Sequence, residues 1–155
     1  MNTFFLYIIR FSIALMLGGL AIVAAVVAPS VFLVITEKHI AGNVMAEIFR
    51  RLNWICAGSV SLILISELFR AQLLGGLSRV VRKNPARTLL LLSLVGILLY
   101  IAFWITPELN SIRQSVAPDA PLPKKFGTLH RLSEVIYSVN FLIAMVLLFL
   151  YRKES

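Results

Sequence analysis

Charge is scarce in this sequence. Asp, Glu, Lys and Arg make up 14% of its 155 residues, against about 25% in an ordinary soluble domain. Acid is scarcer still: 7 carboxylates face 15 Lys and Arg, giving a formal charge of +8. There is a single cysteine, Cys56, which excludes a disulfide framework and a thiolate metal cluster and reads as a small packing residue. Also missing are a Gly-rich phosphate loop, an HExxH pair and a Ser or Cys nucleophile beside a base. No catalytic chemistry is indicated, and no motif indicates a cofactor.

Hydrocarbon fills the chain instead: 59% of the residues are hydrophobic. Uncharged stretches run over 11–36, 52–66, 88–107 and 135–151. A bilayer core takes about 20 helical residues to cross. The first and third stretches reach that length, and the other two reach it by borrowing charged flanks whose stems snorkel to the interface. Four such helices in a soluble fold would leave almost no polar surface. The expected fold is therefore all-α: an integral membrane protein, a four-transmembrane-helix bundle forming one domain over residues 1–155, with spans at about 4–28, 48–71, 86–106 and 128–151. The basic residues gather at the ends of the apolar runs, where they anchor to the membrane surface rather than bind nucleic acid. AIVAAVVAPS imitates a signal-cleavage region, but the run after Arg10 is too long for a signal core and reads as the first span. Basic density in 70–87, with Arg152 and Lys153 beyond, predicts cytoplasmic termini and a multi-pass place in the plasma (inner) membrane.

Local signals punctuate the spans. Pro29 is expected to bend or end the first helix. Ala14, Gly18, Ala21 and Ala25 recur at helical intervals as a small-residue stripe suited to helix packing. Helix two is expected from about Ala41, with Ile40, Val44, Ile48, Leu52 and Ile55 on one apolar face. Glu67 and Arg70, three apart, predict an ion pair at the end of that helix, at the inner surface or, as the alternative, in a transport path. Gly75-Gly76 stops the helix. Asn84-Pro85 starts the third, as N-cap and first helical residue, and Ser93, Gly96, Tyr100 and Trp104 form its seam. Thr106-Pro107-Glu108 repeats the cap pattern ahead of a short surface helix over ELNSIRQSV. APDAPLP is a loop, and the last helix runs from about Pro123 to Tyr151.

That last helix opens with polar residues. At about 100° per residue, His130, Ser133, Glu134, Tyr137 and Asn140 share a face, which lipid cannot solvate and which therefore points into the bundle. Three readings compete: hydrogen bonds fixing helix register, a small-molecule or ion site, and a metal or haem site. For the last, His39 and His130 are the candidate ligands, although no ligand-spacing motif joins them.

APSVF after the first span, then IAGNVMAEIF, TPELNSIR and FGTLHRLSEVIYSVN, together resemble the transmembrane-protein-205-like family, a bacterial four-helix membrane domain of unknown function. Ala41-Gly42 and His130-x-x-Ser133 match that family's pattern. Its usual Asn seven residues after the His is Tyr137 here, with Asn140 one turn later. The resemblance implies the four-helix fold and the membrane location but no reaction. The association of some members with resistance to metal-containing compounds favours metal handling or export.

The expected function is that of a small membrane protein handling a metal ion or small molecule near the outer face, through His130, Glu134, Tyr137 and Asn140. The alternative is an accessory or structural subunit, or a homo-oligomer, packed through the small-residue stripe and the helix-three seam. A third is a haem- or quinone-linked redox protein. The bilayer itself is the remaining partner.

Overall fold

The computed structural model describes residues 2–116, 120 and 123–152. Its long elements are α1 (Asn2–Val34), α2 (Lys38–Leu73), α4 (Pro85–Gln114) and α5 (Lys124–Arg152), each long and apolar enough to cross a membrane. A short helix, α3 (Leu77–Lys83), joins α2 to α4. Among the described residues there is no strand. Each long helix runs against the next. α1 packs on α2 and α5, and α4 closes the ring by packing on α5 and, more lightly, on α2. Residues 117–119 and 121–122 of the expected Pro-rich loop lie outside the described residues.

The turns follow from their residues. Gly75 and Gly76 take φ values of +92° and +110°, a region costly for any residue with a Cβ. The Gly76 N–H reaches back to the Ala71 carbonyl at 2.7 Å, which closes the end of α2. Asn84 then caps α4: its Oδ1 accepts the Arg87 N–H at 3.3 Å, with Pro85 at the first helical position.

Neither Pro29 nor Pro107 ends its helix, for one reason. α1 continues through Pro29 to Val34, and α4 continues through Pro107 to Gln114. A proline ring clashes with the carbonyl four residues back and offers no N–H. Both helices answer with a widened π turn ending two residues before the proline: Val23–Val27 and Ile101–Ile105. The Ala28 N–H bonds to the Val23 carbonyl, and the Thr106 N–H to that of Ile101, five residues back. Such bulges absorb the insertion and bend the helix. The segment read as a separate surface helix is therefore the last turns of α4.

The inward faces also differ from those read in the sequence. On α1 the core is Leu6, Ile9, Ile13, Met16 and Leu20, while Ala14, Gly18, Ala21 and Ala25 lie on the exposed side. Gly19, beside the stripe, is the close approach: a Cβ there would stand 2.9 Å from Leu52 Cδ1, whereas one on Gly18 would meet nothing within 4 Å. On α2 the buried row is Met45, Leu52, Cys56, Val60 and Ile63; Ile40, Val44 and Ile55 are exposed. On α4 Leu91, Leu94, Ile101 and Ile105 face inward, and Gly96, Tyr100 and Trp104 face out. A helix hydrophobic all round carries no phase to reveal its buried side.

Candidate functional site

The bundle has two polar regions, one at each end. At the end holding the termini, polar groups from all four long helices converge. Arg70 Nη1 donates to Glu67 Oε1 at 2.6 Å, and Arg87 Nη2 from α4 reaches Glu67 Oε2 at 3.4 Å. All three residues are buried, at 8% exposure or less. Arg70 Nε also donates to Asn2 Oδ1 at 2.9 Å. The Tyr151 ring lies under Arg87, whose Cζ is 5.1 Å from its centroid. Arg10 donates to the Tyr151 carbonyl at 2.8 and 3.3 Å and to that of Arg152 at 3.4 Å. A cation at a helix C-terminus is favourable because the last carbonyls have no partner in their own helix. The expected Glu67–Arg70 pair is thus present, but it is the buried centre of a knot tying the helices together, not a surface bridge. Sequence reading passed over Arg10, Arg87 and Tyr151, because each is a lone polar residue at the end of an apolar run, where snorkelling is the usual fate.

At the opposite end the helices separate. A cleft of about 2070 Å³ opens between the last turns of α1, the first of α2, the last of α4 and the first of α5. Its volume exceeds the roughly 300–1,000 Å³ of a typical small-molecule site. Both π turns stand in its walls: Val23, Ala24 and Ala25 on α1, and Ile101 and Ile105 on α4. The deep walls are mainly apolar, and the rim carries Glu37, Lys38, His39, Glu47, Arg50, Arg113, His130 and Glu134.

The face of α5 divides here. Ser133, Tyr137 and Asn140 turn inward, while His130 and Glu134 stay exposed at the rim and face each other at 3.3 Å. Tyr137 lines the cleft, stacks on Phe49 at 5.5 Å and donates its hydroxyl to Asn53 Oδ1 on α2 at 2.8 Å. Ser133 donates to the His130 carbonyl within its own helix at 2.6 Å. Asn140 is wholly buried and is not part of the cleft lining. Arg113 projects from α4 with its guanidinium 5.4 Å over the Phe126 ring, and Phe126 stacks in turn on His130. At the rim, Glu47 holds Arg50 and Arg51 at 2.7 and 2.8 Å, and Lys125 meets Glu108 at 2.5 Å. The structure therefore brings His130, Ser133, Glu134 and Tyr137 to one cavity and leaves Asn140 behind its wall. His39 joins His130 in that cavity, yet no group of three His, Cys, Asp or Glu able to hold a metal occurs among the described residues. Asn53, the partner of Tyr137, was missed because a single Asn in a long amphiphilic pattern gives no sign of its facing helix.

Such a cleft sorts molecules by amphipathy: apolar depth for hydrocarbon, and a rim of both charges at the interface for a polar head. Residues 11–117 match a family model described as Domain of unknown function (DUF4149). The chain belongs to that family. No curated protein and no solved structure matches it. Family and helices together make this a multi-pass membrane protein of an uncharacterised domain family.

Proposed function

We propose that this protein binds an amphipathic small molecule in the cleft between its helices and has no catalytic chemistry of its own. The observation that carries the reading is the junction of an apolar cavity with a charged rim, at the end of the bundle away from the termini. A guest would lay its hydrocarbon against Leu20, Phe141 and Ile105 and its head among Lys38, Arg113, His130 and Glu134. Burying apolar surface contributes about 25 cal/mol per Å², so a chain of several methylenes drives entry and the rim selects the head. The density of Lys and Arg in 70–87 supports cytoplasmic termini, and we take the membrane to be the plasma (inner) membrane. The cleft then opens outward. The likeness to the transmembrane-protein-205-like family fits such a handling role, with His39 and His130 available to a metal-bearing guest.

A photoreactive diazirine fatty acid, added to the protein in lipid nanodiscs, tests the binding. Cross-links mapped by mass spectrometry should concentrate on the cleft-lining parts of 37–50 and 126–142, and Arg113→Ala should reduce them. Labels spread evenly over outward residues such as Phe11, Leu89 and Phe103 would overturn the reading.

A second reading has its own observation. In the stripe, Ala14 and Gly18 are exposed outside the cleft, with open space over Gly18, as an accessory subunit or homo-oligomer would need for close helix contact. The mass of the native particle carrying this 17.3 kDa chain, extracted in mild detergent, distinguishes a subunit from a protein acting alone.

A further inference from the structure

Asn140 is the sole asparagine of α5, and like Tyr151 it is fully buried. It has no exposed surface, and neither its Oδ1 nor its Nδ2 has a hydrogen-bond partner among the described residues. Leaving an amide so placed is costly in water-free surroundings. The helices around it cannot help, since their backbone groups are already joined within each helix. Ser12 Oγ is similarly without a partner, but a helical serine can turn its hydroxyl to the carbonyl four residues back. An asparagine presents an acceptor and two donors at once; an Nδ2 donor has the same recourse, but the Oδ1 acceptor does not.

Its position says where a partner comes from. Tyr137 binds Asn53 and Arg70 lies over Tyr151, so α2 and α5 run in the same direction. One turn below Tyr137, Asn140 is therefore level with Cys56, itself fully buried and only a weak donor. Tyr137 and Phe141, the residues one turn above and next in the chain, both line the cleft. Asn140 therefore lies within one helical turn of the cleft lining, on the side of α5 turned to the core.

We infer that Asn140 is the inner anchor of the cleft, receiving a hydroxyl that both accepts from Nδ2 and donates to Oδ1. This deepens the proposed function and rests on it: the favoured guest carries an uncharged hydroxyl deep in the cavity as well as a polar head at the rim. The hydroxyl has two possible sources, a retained water molecule or the guest itself. Tyr137 and Phe141 shift to admit it.

The test uses the full chain in nanodiscs with ¹⁵N-labelled asparagine, the Asn140 side-chain signal being identified by its loss in Asn140→Leu. Cross-peaks from Asn140 Nδ2 to the carbinol proton of added 12-hydroxystearate, whose carboxylate can stay at the rim, would assign the hydroxyl to the guest. Cross-peaks to water that persist at saturating 12-hydroxystearate would assign it to water and overturn the guest's hydroxyl. Asn140→Leu should also weaken 12-hydroxystearate binding roughly 10-fold relative to stearate, as expected for a buried hydrogen bond, and leave diazirine fatty-acid labelling of the rim in place. Asn140→Ala serves if the leucine variant does not fold. Unchanged 12-hydroxystearate binding in either variant likewise overturns the inference. Cleft labelling in those same samples would leave the proposed function standing.

Discussion

The two ends of this bundle solve the same problem in opposite ways. Each must accommodate polar groups beside lipid. At the terminal end, Glu67, Arg70, Arg87, Asn2 and Arg10 satisfy one another and the last carbonyls of α5, and the four long helices are drawn shut around them. At the other end, polar groups pair within a helix or with a near neighbour, as His130 does with Glu134 and Glu47 with Arg50 and Arg51. Few of these contacts cross the bundle, and a cleft remains. A bundle closes where its polar groups are shared between helices and stays open where they are spent locally.

The comparison breaks most visibly at Glu67. Glu67→Ala leaves two buried guanidinium groups without their carboxylate, which should cost about 3–5 kcal/mol. The loss would be read as a lower melting temperature and an earlier unfolding midpoint in detergent. Loss equal to that of His130→Ala would show that the two ends do not differ. A smaller effect is expected at the glycines of α1. Gly19→Leu forces a side chain into Leu52 and should cost about 1–3 kcal/mol, whereas Gly18→Leu should leave the isolated chain's stability unchanged. If Gly18→Leu instead changes the mass of the native particle, the exposed stripe is a contact with another protein. The Tyr137–Asn53 bond, which joins α2 to α5 at the open end, comes next: Tyr137→Phe should cost about 0.6 kcal/mol, typical of membrane hydrogen bonds. Smallest of all is His130→Ala, expected within about 0.5 kcal/mol of the parent, since its imidazole and the Glu134 carboxylate are both more than half exposed. Its effect should appear in binding and not in stability.

Much of this was legible in the residues. Length and hydropathy give four crossing helices, Gly75-Gly76 ends α2, and Asn84-Pro85 starts α4. The ion pair of Glu67 with Arg70 follows from their spacing. The grouping of His130, Ser133, Glu134 and Tyr137 follows from the turn of one helix, and all four line one cavity. What misled were prolines and phase. Pro107 read as a boundary and Pro29 as a bend or an end, because sequence carries no sign of the π turn that lets a helix run on. The small stripe on α1 and the seam on α4 read as helix contacts, yet Ala14, Gly18 and Trp104 are exposed and Ala21 and Ala25 line the cleft.

By itself, then, the sequence determined the class of fold, the number of crossings and the local stops, all of which depend on residues near one another in the chain. The tertiary structure alone decided which face of each helix is buried, that Arg87 and Tyr151 complete the Glu67 cluster, and that the far end stays open. The reason is solvent. In water, polarity marks the outside of a helix, but beside lipid both faces are apolar, and only the packing of one helix on another distinguishes them.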